Sequence, residues 1–219
     1  MNAATFTMDG LTTSENTVRF ARIRLPRTVE VVSDDEDAQL MLAYARGEMR
    51  AFETLYARHR GALYRYLTRQ ARDGEIANDL FQEVWSRVIV NRTRYEPRAK
   101  FRTFLFTLAH NCFIDHCRRT KCRPAGMGIE DADAADLLPA DAEQLPDVRL
   151  ARDEATQRYR AALASLPAEQ RDVYLLHEES DLSLEEIARV TGVGAETAKS
   201  RLRYAVGKLK AALAAAEAL

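Results

Sequence analysis

The stretch KFRTFLFTLAHNCFIDHCRRTK, Lys100 to Lys121, sets the reading of the whole chain. Phe101, Phe104, Leu105 and Leu108 fall at i, i+3, i+4 and i+7, the stripe of a helix packed against other helices. Packing accounts for those four. It leaves over Lys100, Arg102, Arg118, Arg119 and Lys121, and the off-stripe rings of Phe106 and Phe113. Rings that stack on bases, interleaved with cations that neutralise phosphates, suit single-stranded nucleic acid. Asn111, a weak helix former that tolerates turns, leaves two readings open. The helix runs through it, or two segments meet there around a small loop able to hold an extruded base.

The charge around this stretch points the same way. The chain as a whole is near balance, with 32 Lys and Arg against 33 Asp and Glu. Residues 38–122, however, hold 16 Lys and Arg against 8 Asp and Glu, and residues 123–150 hold 2 against 7. A basic block followed by an acidic one is a nucleic-acid footprint hidden by the total. No apolar run reaches the ~20 residues of a bilayer span, and the N-terminus lacks the apolar core of a signal peptide. A cytoplasmic chain without membrane insertion is expected. Cys112, Cys117 and Cys122 are odd in number and form no C-x-x-C pair, so neither a disulfide framework nor a zinc site is indicated. No metal and no cofactor are expected.

Upstream, residues 1–36 show little periodicity and read as a disordered tail. Its arginines Arg19, Arg22, Arg24 and Arg27 read as a solvated cluster, and its closing acidic residues suit a helix N-terminus. A first helical domain is expected over 37–122. Within it Phe52, Leu55, Leu63, Tyr66 and Leu67 share a face, and Gly47-Glu48 divides the run into two helices. His59 lies beside that face as a core or boundary residue. After the turn Asp73-Gly74, Ile76, Leu80, Val84 and Val88 recur every four residues, so 75–91 is a third amphipathic helix. Its outer side carries Asp79, Gln82, Glu83, Ser86 and Arg87, which an ordinary solvated face explains from the residues alone. Trp85 sits at the edge of the stripe, either core or a partner's anchor.

Downstream, 123–150 is rich in Ala, Asp, Gly and Pro and reads as a flexible acidic linker. Asp131, Asp133 and Asp136 lack the glycine and terminal glutamate of a calcium loop. A second helical domain follows over 151–219. Pro167 suits the start of a helix, and Ser183 with Glu186 forms an S-x-x-E capping box. Gly192 separates the short helix this starts from a longer one beginning near Ala195, with Ile187, Ala188, Val193, Ala198 and Leu202 as the core between them. That is the pattern of a helix-turn-helix. The second helix is expected to present Glu196, Thr197, Lys199, Ser200, Arg201 and Arg203 outward, residues that bind phosphates or read base edges on duplex DNA. A helical hairpin with a charged face is the plainer alternative. The fold class is all-α: two helical domains joined by a flexible linker.

These residues carry a resemblance. Arg46-Gly47-Glu48 with Ala51-Phe52, then Asp79-Leu80-Phe81-Gln82-Glu83-Val84-Trp85, then Phe101-Arg102-Thr103-Phe104-Leu105 through Asn111 to Arg118-Arg119, resemble the second conserved region of bacterial sigma factors. Leu166-Pro167, Glu185-Glu186-Ile187-Ala188 and Thr197-Ala198-Lys199-Ser200-Arg201-Leu202 resemble the fourth. The two-domain layout is similar to the extracytoplasmic-function (ECF) group. Three departures stand out: Phe104 where the family usually has Trp, Asp181 where Gly is common, and Thr191 where a larger apolar residue is usual.

The resemblance implies partners and roles. Asp79, Gln82, Glu83 and Arg87 would dock on the clamp helices of the RNA polymerase beta-prime subunit, with the beta subunit also in contact. Lys100, Arg102, Phe104, Asn111, Arg118 and Arg119 would melt and hold the minus-ten element of the promoter. Glu196, Thr197, Lys199, Ser200, Arg201 and Arg203 would read the minus-thirty-five element. An anti-sigma factor is the regulator such a chain would have. No bond chemistry is implied, so the chain is not read as an enzyme. The competing readings are a helix-turn-helix repressor or activator acting without polymerase, and an enzyme using Cys112, Cys117 or Cys122 with His110 or His116. The second lacks an oriented base for its thiol.

Overall fold

The computed structural model describes residues 35–120 and 146–217, and among these it contains eight α-helices, one 3₁₀ turn and no strand. The helices are α1 (Glu36–Ala45), α2 (Met49–Ala71), α3 (Gly74–Val90), α4 (Phe101–Arg119), α5 (Pro146–Ser165), α6 (Ala168–Ser180), α7 (Leu184–Thr191) and α8 (Ala195–Glu217). The arginines at 19, 22, 24 and 27 and the aspartates at 131, 133 and 136 lie outside the described residues, as do Lys121 and Cys122. Residues 146–150, assigned above to the linker, are the first turns of α5.

Local chemistry sets the ends of the first four helices. Asp35 caps α1, its Oδ1 accepting from Asp37 N at 3.2 Å, and Glu36 and Asp37 in the first turn face the positive end of the helix dipole. The other oxygen of Asp35 accepts from Phe101 N at 2.6 Å, so one carboxylate caps both α1 and α4. Gly47, at φ +102°, makes the turn into α2 in a conformation that side chains resist. Arg72, in the left-handed region at φ 58°, ends α2, and Asp73 starts α3 by accepting from Ile76 N at 2.9 Å.

α4 is the central helix. Its face of Phe101, Phe104, Leu105 and Leu108 packs into the first domain as the stripe requires. Thr103, Phe106, Cys112 and Phe113 are buried as well. The reason is a second layer: α4 packs on α1, α2 and α3, and also on α6 and α7 of the second domain. Phe106 is fully buried and meets Tyr66 edge-on, centroids 5.5 Å apart. Phe106 and Phe113 are therefore core residues, and the helix has too few exposed rings to form a stacking surface. Burial of a phenylalanine contributes about 1.5–3 kcal/mol, so this packing outweighs any local preference. The helix also runs unbroken through Asn111, which removes the loop reading.

The remaining expectations on the core resolve simply. Trp85 is 5% exposed and packs edge-on against Phe52, which makes it core. His59 is buried with Nε2 2.7 Å from Asp37 Oδ2. Burial holds its pKa below the ordinary value against the opposing pull of Asp37. Cys112 is a buried apolar residue whose thiol burial pushes up to about 12.

The second domain is built on α8, which packs on α5, α6 and α7. Pro167 precedes α6 as its N-cap. Asp181 ends α6 in the left-handed region at φ 49°, the turn for which the residue type suffices in place of glycine. The α6 and α7 layer closes on α2 and α4 through a polar seam. Tyr66 Oη and Gln70 Nε2 both donate to Asp172 Oδ1, at 2.8 and 2.6 Å, and Arg171 Nε donates to Gln70 Oε1 at 3.3 Å. His110 Nδ1 stands 3.0 Å from Asp172 Oδ2, in charge range but off hydrogen-bond geometry.

Candidate nucleic-acid interface

The helix-turn-helix forms as the spacing indicates. Ser183 Oγ accepts from Glu186 N at 3.2 Å and Glu186 Oε2 accepts from Ser183 N at 2.8 Å, the reciprocal pair of a capping box. Gly192, at φ +69°, ends α7, and α8 begins three residues later. Ile187, Ala188 and Ala198 are buried between the two helices.

Along α8 the buried residues Ala198, Ala205 and Leu209 define the inner side. Opposite them Glu196, Thr197, Lys199 and Arg203 are exposed and Ser200 half-buried. Tyr204, absent from the sequence-based set, is also on the outside, 55% exposed with Arg203 stacked over its ring at 5.2 Å. Its signal was the helical period, which puts it one turn beyond Ser200. Arg201 does not share the outer face. Three residues after Ala198, it falls on the flank turned to α6, where its guanidinium binds Glu169 in the first turn of that helix.

In the first domain the candidates divide into two groups. Asp79 and Gln82 are exposed on α3, with Glu83 and Arg87 half-buried beside them and paired at 2.5 Å. Arg119, from the end of α4, comes within 3.7 Å of Glu83, so the groups from α3 and α4 adjoin. Asp79, Leu80, Glu83, His116, Arg119 and Thr120 line a cleft of about 310 Å³ there. Arg118 is exposed and 3.8 Å from Asp115, and Asn111 is half-buried.

Lys100 and Arg102 lie at the other end of α4, where they turn to the second domain. Lys100 Nζ is 3.4 Å from Glu186 Oε1, and Arg102 Nη1 is 2.8 Å from Asp181 Oδ2 and donates to Ser180 O at 3.2 Å. Phe104 is 7% exposed, its ring on Tyr95 at 5.1 Å, and offers no open face to a base. Sequence reasoning also passed over Arg65, Arg69 and Arg72, although their spacing places them on one side of α2. Among the described residues no group of His, Cys, Asp and Glu is placed to hold a metal ion, and no helix is long and apolar enough to cross a membrane.

Comparison with known proteins agrees with this arrangement. Residues 55–122 match the family described as Sigma-70 region 2, and residues 156–209 match Sigma-70, region 4. The chain is 32% identical over 171 residues to the RNA polymerase sigma factor CarQ of Myxococcus xanthus, covering 78% of this chain and 93% of that one. It is 30% identical over 173 residues to the ECF RNA polymerase sigma factor SigM of Mycobacterium tuberculosis, covering 79% and 82%. Two solved structures share the fold. One is CnrH in complex with the cytosolic domain of CnrY, with TM-score 0.59 and 24% identity over 83% of this chain and 99% of that one. The other is the sigma factor RpoE in complex with the anti-sigma factor NepR from Bartonella quintana, with TM-score 0.57 and 23% identity over 74% and 96%. With both Sigma-70 regions in order along one chain, and a relative matched over nearly its whole length, the protein belongs to the ECF group of RNA polymerase sigma factors, which direct promoter-specific transcription with core RNA polymerase.

Proposed function

We propose a division of that activity among three surfaces. The outer side of α3, through Asp79, Gln82, Glu83 and Arg87, docks on the beta-prime clamp helices. Lys100, Arg102, Asn111, Arg118 and Arg119 of α4 hold the melted minus-ten strand, with Phe104 as internal support. Glu196, Thr197, Lys199, Ser200 and Arg203 of α8 read the minus-thirty-five duplex, and Arg201 acts by fixing α8 to α6. The domain limits we assign are 35–122 and 146–219, with 1–34 as a tail and 123–145 as the connection.

The observation that carries this reading is the face of α8. Charged and polar side chains stand outward on the second helix of a capped helix-turn-helix, opposite a small apolar core of Ile187, Ala188 and Ala198. Such a helix fits the major groove, where Lys and Arg bind guanine edges and phosphates. Each phosphate neutralised on duplex adds ~0.9 to the log-log salt slope, so promoter binding is salt-sensitive. The chain itself makes and breaks no bonds and works in the cytoplasm beside the polymerase. An anti-sigma factor is the regulator we assign to it, in line with the partner of the RpoE relative.

Run-off transcription tests the proposal. Purified chain with core bacterial polymerase on fragmented genomic DNA gives starts that share two upstream motifs, and these are lost when Lys199 and Arg203 are replaced by Ala. Chain-dependent binding to duplex without polymerase, and no starts, would instead support a repressor or activator.

A further inference from the structure

On the outer side of α8, Arg203 and Tyr204 stand side by side in solvent, and the Arg203 guanidinium lies over the Tyr204 ring, 5.2 Å from its centroid. Tyr204 is 55% exposed, so packing does not require it. The two arginines of the helix have opposite settings. Arg201 gives its donors to Glu169, whereas among the described residues Arg203 meets no carboxylate. An aromatic ring holds a guanidinium by its face. The N–H donors lie along the edge, so the stack leaves them free for a base or a phosphate. Gly207 is a second observation. It lies inside α8, exposed one turn beyond Arg203, and a Cβ there would meet nothing within 4 Å. The fold therefore does not call for glycine, the weakest helix former after proline. A helical side chain leans over the turn before it, so any side chain at 207 would cover Arg203 and Tyr204.

We propose that Tyr204 is a positioning residue for minus-thirty-five recognition: its ring fixes the plane of the Arg203 guanidinium, whose edge reads one guanine, and Gly207 keeps the approach open. This rests on the reading of α8 as the helix that reads the minus-thirty-five duplex. A guanidinium pairs with guanine O6 and N7 through two donors at once, which requires it to lie near the plane of the base. An unrestrained arginine samples many rotamers, and ordering it on binding weakens the complex. The stack does that ordering beforehand. Lys199, one turn earlier, carries a point charge that needs no such plane and suits a phosphate. The specificity assigned to the pair is therefore for guanine at one position, beyond a general attraction for DNA.

The test uses holoenzyme assembled from the full chain and core polymerase, on a promoter fragment with mapped starts in which each base pair of the minus-thirty-five element is replaced in turn. Arg203→Ala identifies the guanine that Arg203 reads, as the position where discrimination is lost. Tyr204→Ala is expected to reduce discrimination at that same guanine from ~10-fold to about 2-fold and to leave the other positions unchanged. Tyr204→Phe keeps a ring for the guanidinium and is expected to keep the discrimination. In an Arg203→Ala background, Tyr204→Ala is expected to add nothing, which a general loss of folding would not reproduce. Gly207→Gln is expected to melt at a higher temperature, because Gln is the better helix former, yet to bind the promoter more weakly. A uniform loss at all positions for Tyr204→Ala, or an equal loss for Tyr204→Phe, would overturn the proposal, and unweakened binding by Gly207→Gln would overturn the role given to the glycine. If Arg203→Ala changes the preference at no position, the reading of Arg203 as a base contact falls too. If Arg203→Ala changes it and Tyr204→Ala does not, the positioning role alone falls.

Discussion

α4 and α8 are alike in sequence and opposite in setting. Each is a long helix with apolar residues at helical spacing and basic residues between them. α8 packs on α5, α6 and α7 along one side, and its other side stands in solvent. α4 lies between two layers, so even its off-stripe rings, Phe106 and Phe113, are covered and the cations at its start meet carboxylates of the second domain. The lesson is that helical period assigns faces only where a helix has one packed side. For a helix covered twice, a ring off the stripe says that another layer exists.

Substitution of Phe106 by Ala tests this contrast most severely. A fully buried phenylalanine leaves a cavity worth about 3–5 kcal/mol. The comparable change on α8, Tyr204→Ala, is expected to stay within about 0.5 kcal/mol, because the ring is exposed. Urea unfolding compares the two, and equal effects would break the distinction. Next in size are the basic residues of α8. Replacing Lys199 or Arg203 by Ala is expected to weaken binding to the minus-thirty-five duplex by about 1–3 kcal/mol. Arg201→Ala is expected to affect thermal stability more than base preference, since its partner is Glu169. Binding measured against single-base variants of the site separates the roles.

The smallest effect is that of pH on the first domain. His59 has its folded pKa lowered, chiefly by burial, so the unfolded chain binds the proton more readily. Its contribution to stability is complete above its ordinary value of 6.5 and is lost as pH falls through the lower folded value. Thermal unfolding at pH 7.5 and 5.5 checks the sign. His59→Gln is expected to reduce the loss, and an unchanged loss would place the titration elsewhere.

What the chain spells out locally is what the sequence made readable. Ser183 with Glu186, Asp73 before Gly74, and Gly47 with Gly192 act within four residues, and their helix ends fall within a residue or two of expectation. Asp181 in the left-handed turn was equally readable, because its tolerance for that conformation is a property of the residue. The seam was not, because Tyr66 with Asp172 and Arg65 with Glu179 pair across more than a hundred residues. No period relates such partners. Their joint burial hid Phe106 from the reading, and the flank position of Arg201 hid its bond to α6. At the candidate site, the outer face of α8 was largely legible and the division of α4 between two neighbours was not.

On the proposed division of surfaces, α4 and α8 act on different forms of the promoter. A photo-crosslinking residue placed at Arg102 or at Ser200, in holoenzyme on a promoter fragment with mapped starts, tests it directly. Crosslinks are expected from position 102 to the non-template strand near minus ten and from position 200 to duplex near minus thirty-five. Crosslinks from both positions to the same duplex segment, or none from 102 in a complex that transcribes, would contradict it.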